Sequence, residues 1–338
     1  MRVAVVGLGF MGLTHLKAWQ QIQDIEIAAI VSADPRVLEG DVSHIQGNLD
    51  TGSTPADITN VPRLADPMEA IRMEGLDAVD ICLPTSMHAP VTVAAFEHGL
   101  HALVEKPMAM DGDECRRMIE AARTAGRTLM CAQVLRFFPA YTALISAVLG
   151  GELGPVRHAL FRRRCAAPKW SAWLSKKDVS GGGVFDLLIH DIDMALVLFG
   201  APESVSATGH EDLEKGLDIL DASLHYHGGL NVEITGGWHL PSAYPFSMEY
   251  TVVGEHGAME FSSANPETPR FYGPGADRRP EMPEKDGYLA EIEYFVECVR
   301  SGAEPRRCSP ESSAQAVALA RLLDVARTEK GKLIPCQL

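Results

Sequence analysis

No C-x-x-C pair occurs in this 338-residue chain; its seven cysteines (82, 115, 131, 165, 298, 308 and 336) are scattered and odd in number. That distribution argues against a disulfide framework or a dithiol motif and suits a reducing cytoplasm. Long apolar runs are missing too. None approaches the ~18 residues of a membrane helix, and the N-terminus has neither the apolar core nor the cleavage site of a signal peptide. Positive charge is in deficit, with 30 Lys and Arg against 45 Asp and Glu and a net charge of -15. Nucleic acid and anionic membranes are therefore poor partners. Neither internal repeats nor low-complexity segments are evident. What remains is an ordinary globular composition, 46% hydrophobic and 22% charged, long enough for two domains of roughly 100–200 residues each.

The most informative stretch is the first, RVAVVGLGFMG from Arg2 to Gly12. Val3, Ala4, Val5 and Val6 read as a strand buried on both faces. Gly7, Gly9 and Gly12 then form G-x-G-x-x-G, and a helical pattern follows over residues 13–21. Each glycine has its own task. Gly7 permits the tight turn, Gly9 lets a pyrophosphate approach the backbone, and Gly12 lets helix and strand pack closely. The helix N-terminus would hold the phosphates through free N–H groups. Phe10 and Met11 complete the loop. The strand before the motif and the helix after it are what make it a dinucleotide site.

Residues 25–31 (IEIAAIV) predict the second strand. An acid reading the ribose is expected about 20 residues past the motif, and Ser32 stands there, with Arg36 close by. A hydroxyl and a guanidinium in place of a carboxylate favour a 2′-phosphate, hence NADP slightly over NAD. The other reading is that Ser32 opens a turn and Arg36 is solvated. Residues 47–62 are polar and rich in turn formers, too long for an ordinary connection, and read as a surface insertion or a flap. A short helix is expected over 66–73. The next strand, residues 78–83, brings Leu83, Pro84, Thr85 and His88 to a strand's carboxyl end, where open α/β sheets bind ligands. Further on, a helix over 90–98, a strand at 102–104, a helix over 111–125 and a strand at 128–134 complete a doubly wound parallel sheet. Glu105-Lys106-Pro107 closes the 102–104 strand. Lys106 is thus a candidate for chemistry, against the alternative of an ordinary surface lysine.

The second half changes character. After a helix over 136–149, strand-like runs recur at 156–164, 204–210, 219–227, 230–238, 246–253 and 258–261, with Gly228-Gly229 as a two-residue hairpin turn. Two helices, 288–300 and 310–330, end the chain. The expected architecture is an α/β dinucleotide-binding domain over 1–133 and an α+β domain over 134–338 with a large, mostly antiparallel open sheet. Such a sheet needs one face covered, which favours a homodimer or homotetramer paired through it.

One stretch of that half stands apart, residues 181–200 (GGGVFDLLIHDIDMALVLFG). Glycines precede a helix apolar almost all round, and Asp186, His190 and Asp193 recur at i, i+4 and i+7 on one face. Carboxylates and an imidazole on a buried helix are either satisfied internally or lie beside a wet cavity. Histidine is the commonest general acid/base near neutral pH, and a carboxylate one turn away can orient it. A satisfied structural pair is the competing reading. His190 with Asp191 or Asp193 could also hold a metal, but such spacings are common and no metal is expected.

In this order, the glycine fingerprint, Leu83-Pro84-Thr85-Ser86-Met87-His88, Glu105-Lys106-Pro107 and Gly182-Gly183 with Asp186 and His190 resemble the Gfo/Idh/MocA oxidoreductases over nearly the whole chain. The resemblance implies an NAD(P)-dependent dehydrogenase or reductase of a sugar, polyol or cyclitol. It implies Lys106 as the catalytic lysine, Asp186 and His190 as the catalytic pair, and Glu105 and Pro107 as part of the cofactor-side wall. Arg136, Phe137, Trp170 and Trp173 match positions around the substrate cleft. Thr85 departs from the Asn of many members, and Ser32 from their frequent acid. The family also contains NAD-dependent glycosidases and nucleotide sensors without chemistry; retention of Lys106, Asp186 and His190 together argues against a sensor.

Overall fold

Short strands rich in Val, Ile and Ala build the first sheet of the computed structural model, which describes residues 1–47, 56–168 and 172–338. The strands are β1 (Arg2–Val6), β2 (Glu26–Val31), β3 (Arg63–Leu64), β4 (Ala78–Ile81), β5 (His101–Glu105) and β6 (Leu129–Ala132). All pair in parallel, in the order β3-β2-β1-β4-β5-β6. Four of the five β1 residues and all of β4 are buried, as expected of a parallel sheet whose crossovers cover it. The connecting helices are α1 (Phe10–Trp19), α2 (Pro35–Glu39), α3 (Pro67–Ile71), α4 (His88–Glu97) and α5 (Gly112–Ala125). Helices α2 and α3 start alike. An aspartate (Asp34, Asp66) accepts a first-turn N–H, and the proline after it has no N–H to lose.

The second sheet holds nine strands among the described residues: β7 (Val156–Cys165), β8 (Ser204–Asp212), β9 (Leu217–His225), β10 (Asn231–Trp238), β11 (Ser247–Gly254), β12 (Ala258–Ser262), β13 (Arg270–Gly273), β14 (Ala276–Arg278) and β15 (Ile334–Pro335). Every pairing is antiparallel except β7 with β10. Residues alternate in burial along β7, β10 and β11. Phe161, Ile234 and Tyr250 lie in register on the buried face, and Arg162, Thr235 and Glu249 lie in register on the partly open one. On the buried face Tyr141, Tyr250 and Phe261 meet with ring centroids 5.3–5.8 Å apart, and the Tyr250 hydroxyl donates to the Ala140 carbonyl at 2.9 Å. The remaining helices are α6 (Pro139–Leu149), α7 (Lys177–Ser180), α8 (Ile189–Phe199), α9 (Gly287–Ser301) and α10 (Pro310–Thr328).

The chain forms two compact units, Met1–Val134 with Lys285–Ala314, and Leu135–Glu284 with Gln315–Leu338. The units are not two consecutive stretches, because α9 packs with the first. Phe295 meets Trp19 of α1 edge-on, centroids 6.2 Å apart.

Two local expectations are corrected. Gly228 and Gly229 do not form a two-residue hairpin turn. Strands β9 and β10 pair out to His225 and Asn231, and five residues join them, with both glycines at positive φ. The helix expected from residue 136 begins at Pro139, after a 3-10 turn over Val134–Arg136, because proline suits a first helical position.

Candidate active site

The glycine loop fits a dinucleotide. Gly7 adopts φ +101°, and a Cβ there would lie 2.5 Å from the Cys82 carbonyl oxygen; at Gly12 one would lie 2.0 Å from the Gly7 carbonyl oxygen. Both positions therefore demand glycine. At Gly9 a Cβ would meet nothing within 4 Å, and Gly9 opens α1 with no side-chain cap. Open space above uncapped N–H groups is where a pyrophosphate binds. The Phe10 ring lies against Gly47, and Gln20, the C-cap of α1, bonds both the N–H and the carbonyl of Asp57. Gly47 and Asp57 of the 47–62 segment are thus tied to the fingerprint helix and its C-cap; residues 48–55 lie outside the described residues.

At the end of β2, Ser32 is buried and its hydroxyl accepts the Asp34 N–H at 3.2 Å. Asp34 places a carboxylate two residues on. Arg36 reaches both of its oxygens (3.3 and 2.9 Å), and His44 adds a contact at 2.9 Å. Hydrogen bonds from Arg36 hold the Asp34 carboxyl at about 2, below the usual carboxylate range.

At the ends of β4 and β5, His88 is buried between the Leu83 and Pro107 carbonyl oxygens, each 2.8 Å away. Burial lowers its pKa, against the pull of the two carbonyls. It braces two loops, while Leu83 and Pro84 are partly exposed and Thr85 is buried. From residue 102 to 109 every position is buried except Lys106. The Lys106–Pro107 peptide is cis. The Glu105 carboxylate folds back to accept the Lys106 N–H at 2.8 Å.

The second unit repeats that pattern. From residue 181 to 195 every position is buried except Asp186 and His190. The segment begins as a π-helical turn, Val184–Leu188, and continues as α8, so the α-helical i, i+4, i+7 face expected from the sequence is broken at its start. Asp193 is not part of a site stripe. Arg136 grips it with two bonds, 2.9 and 2.5 Å. Arg163 grips Asp191 likewise, at 2.8 and 3.0 Å, and also donates to the Tyr141 hydroxyl. These buried pairs occupy both carboxylates that a metal at His190 would have needed. At the segment's start, the Asp218 carboxylate accepts the Gly183 N–H at 2.5 Å and pairs with Arg327. Anchored at three points, the segment offers solvent only Asp186 and His190.

Beside it lies an apolar wall. Cys165, Leu174, Leu187 and Trp238 form its buried part, with Trp173, Leu213 and Phe246 packed against it. Burial and the Asp186 charge push the Cys165 thiol up to about 12. Phe137 is buried, and Trp170 lies outside the described residues. Sequence reasoning missed His15. It sits on the buried side of α1, three positions past Gly12, between Asp80 and Glu105.

A glycine cradle that opens a helix after the first strand of a parallel sheet is the arrangement of a dinucleotide-binding domain. Family models agree. Residues 1–133 match the oxidoreductase family with NAD-binding Rossmann fold, and residues 141–260 match the GFO/IDH/MocA C-terminal domain. The chain belongs to the Gfo/Idh/MocA family and is an NAD(P)-dependent oxidoreductase. It is 28% identical to scyllo-inositol 2-dehydrogenase (NAD(+)) of Bacillus subtilis, covering 90% of this chain and 88% of that one. It is 27% identical to D-xylose 1-dehydrogenase (NADP(+)) 2 of Haloferax volcanii, covering 92% and 93%. Aldose-aldose oxidoreductase from Caulobacter crescentus superimposes with a TM-score of 0.82 at 25% identity, over 99% of each chain.

Proposed function

We propose that the protein interconverts a secondary hydroxyl and a carbonyl on a sugar, polyol or cyclitol. The observation that carries this reading is that Lys106, Asp186 and His190 are the partly exposed polar side chains of two otherwise buried stretches. The bound nicotinamide supplies the hydride acceptor or donor. His190 takes the hydroxyl proton during oxidation and returns it during reduction, and Asp186 orients the imidazole. Lys106 offsets the negative charge that grows on the substrate oxygen. The named relatives act on inositol and xylose as dehydrogenases, which favours net redox chemistry over glycoside cleavage. A screen of cyclitols, pentoses and hexoses with NAD+ and NADP+, read at the reduced-nicotinamide absorbance, tests this. Turnover of at least one is expected. Sugar release with no change in free nucleotide would support the glycosidase instead.

NADP(H) binding at least as well as NAD(H) is the accompanying proposal. Arg36 lies in the first turn of α2 and its side chain is 57% exposed; Asp34 is its competitor for a 2′-phosphate. The half-open face of the second sheet supports pairing with a second copy, which sedimentation velocity would read directly. The seven scattered cysteines fit a cytoplasmic setting, and no helix of the described residues is long and apolar enough to cross a membrane.

A further inference from the structure

We propose that His15 is a positioning residue for Lys106 and acts through the Glu105 carboxylate. The claim rests on the reading of Lys106 as the charge stabiliser. It starts from a buried polar chain within the first unit. The indole N–H of Trp19 donates to Asp80 at 2.7 Å. The same carboxylate lies 2.9 and 3.1 Å from Nδ1 of His15. On the other side of the ring, Nε2 lies 3.2 Å from Oε1 of Glu105, an ion-pair contact without the alignment of a hydrogen bond. The other oxygen of Glu105 accepts the Lys106 N–H at 2.8 Å. His15 and Asp80 are fully buried and Glu105 nearly so.

Carboxylates only accept, so an imidazole facing one at each nitrogen is best matched with a proton on both. The groups around the ring are Asp80 and Cys82 from β4 and its end, Glu105 from β5, and Tyr288 from α9 with ring centroids 6.3 Å apart. Burial opposes protonation, but the Asp80 and Cys82 interactions outweigh it and raise the pKa. The imidazolium thus binds α1 to two strand ends through two different carboxylates. The Asp80 branch, reinforced by Trp19, ties helix to sheet. The Glu105 branch ends on the peptide of Lys106, the one residue of that stretch that reaches solvent. A cation at Nε2 holds the Glu105 carboxylate in the rotamer that caps this N–H. Without it, a buried carboxylate would lose the positive charge it faces and, with it, a reason to keep this rotamer.

Cys82 Sγ, His15 and Asp80 also offer donor atoms within 4.8 Å of one another, as a metal site would. The His15–Asp80 contact already has hydrogen-bond length, and burial pushes the Cys82 thiol far above its ordinary range. The cluster reads as a hydrogen-bonded brace.

His15→Gln, Glu105→Gln and the double variant test the proposal. Amide hydrogen exchange of the segment containing Lys106, read by mass spectrometry with and without NADPH, should quicken about tenfold in both single variants. Turnover of the sugar or polyol most active in the screen above should drop about 10²-fold, as small misplacements of a reacting group do. NADPH affinity of His15→Gln, read by fluorescence titration, should stay within about threefold. The double variant should be no slower than the slower single variant, since both remove one device. Unchanged exchange at Lys106 in Glu105→Gln, or multiplied losses of turnover, would overturn the positioning role. If His15→Gln does not fold, Glu105→Gln alone decides. If exchange quickens but Lys106→Ala is fully active, the positioning holds and the chemical role of Lys106 is what fails.

Discussion

Asp218 accepts the Gly183 N–H at 2.5 Å, so a residue of strand β9 holds the first turn of the segment that exposes Asp186 and His190. The fit leaves no slack. A Cβ on neighbouring Gly182 would stand 2.6 Å from the same carboxylate oxygen, and Gly182 has a φ of +81°. Replacing Asp218 by Ala leaves the Gly183 donor buried and unmet, a cost of about 1–3 kcal/mol. We expect a lower melting temperature, reduced turnover and nearly unchanged NADPH affinity. An unaltered melt and full turnover would mean that Asp218 does not hold the segment.

We expect cofactor choice to turn on Asp34 and Arg36, whose side chains pair. The carboxylate occupies the guanidinium that a 2′-phosphate would use. Asp34→Asn should therefore raise the NADP(H):NAD(H) affinity ratio, and Ser32→Asp should lower it. Calorimetric titration of both nucleotides reads the ratio, each factor of ten being about 1.4 kcal/mol. A ratio unmoved by Asp34→Asn would remove Arg36 from the discrimination.

Lys106→Ala should cut turnover by roughly 10²-fold, as loss of a charge stabiliser does, while nucleotide affinity stays within a few-fold. Unchanged turnover would return Lys106 to the status of a solvated lysine. Collapse of nucleotide binding would instead make it a cofactor residue.

His15 sets the sign of one pH dependence. Its folded pKa is raised, so the native state holds the proton more tightly than the unfolded chain, whose histidines titrate near about 6.5. The stabilisation is complete below that unfolded value and is lost as pH rises through the folded one. The stability difference between the wild type and His15→Gln, measured by urea midpoints, should therefore shrink as pH rises above neutrality. A difference that grows with pH contradicts a protonated His15.

What the sequence made legible was local. The glycine fingerprint is written in steric terms: Gly7 and Gly12 stand where any Cβ would strike a carbonyl. The short apolar strands announced a sheet covered on both faces. Lys106 stood out at a strand's carboxyl end, and Asp186 and His190 on an otherwise apolar helix; all three are partly exposed in buried stretches. Illegible features depend on partners far along the chain. Asp193 read as a third member of the site stripe because helical periodicity cannot show Arg136, and a π-helical turn shifts the phase that periodicity assumes. His15 read as an ordinary helix residue because Glu105 lies ninety positions away in sequence. Arg36 read as a phosphate-binding or solvated side chain, while in the fold it holds the Asp34 carboxylate. The packing of α9 against α1 depends on Trp19 meeting Phe295, which no local pattern announces.

The central claim is that His190 carries the acid–base chemistry, and pH–rate profiles in both directions test it most directly. Alcohol oxidation needs neutral His190, so its rate should rise with pH through the histidine's titration. Carbonyl reduction needs the protonated form and should fall over the same range. His190→Asn should flatten both profiles and lower turnover while its melting temperature stays close to that of the wild type. A folded, fully active His190→Asn enzyme with the wild-type pH dependence would contradict the account.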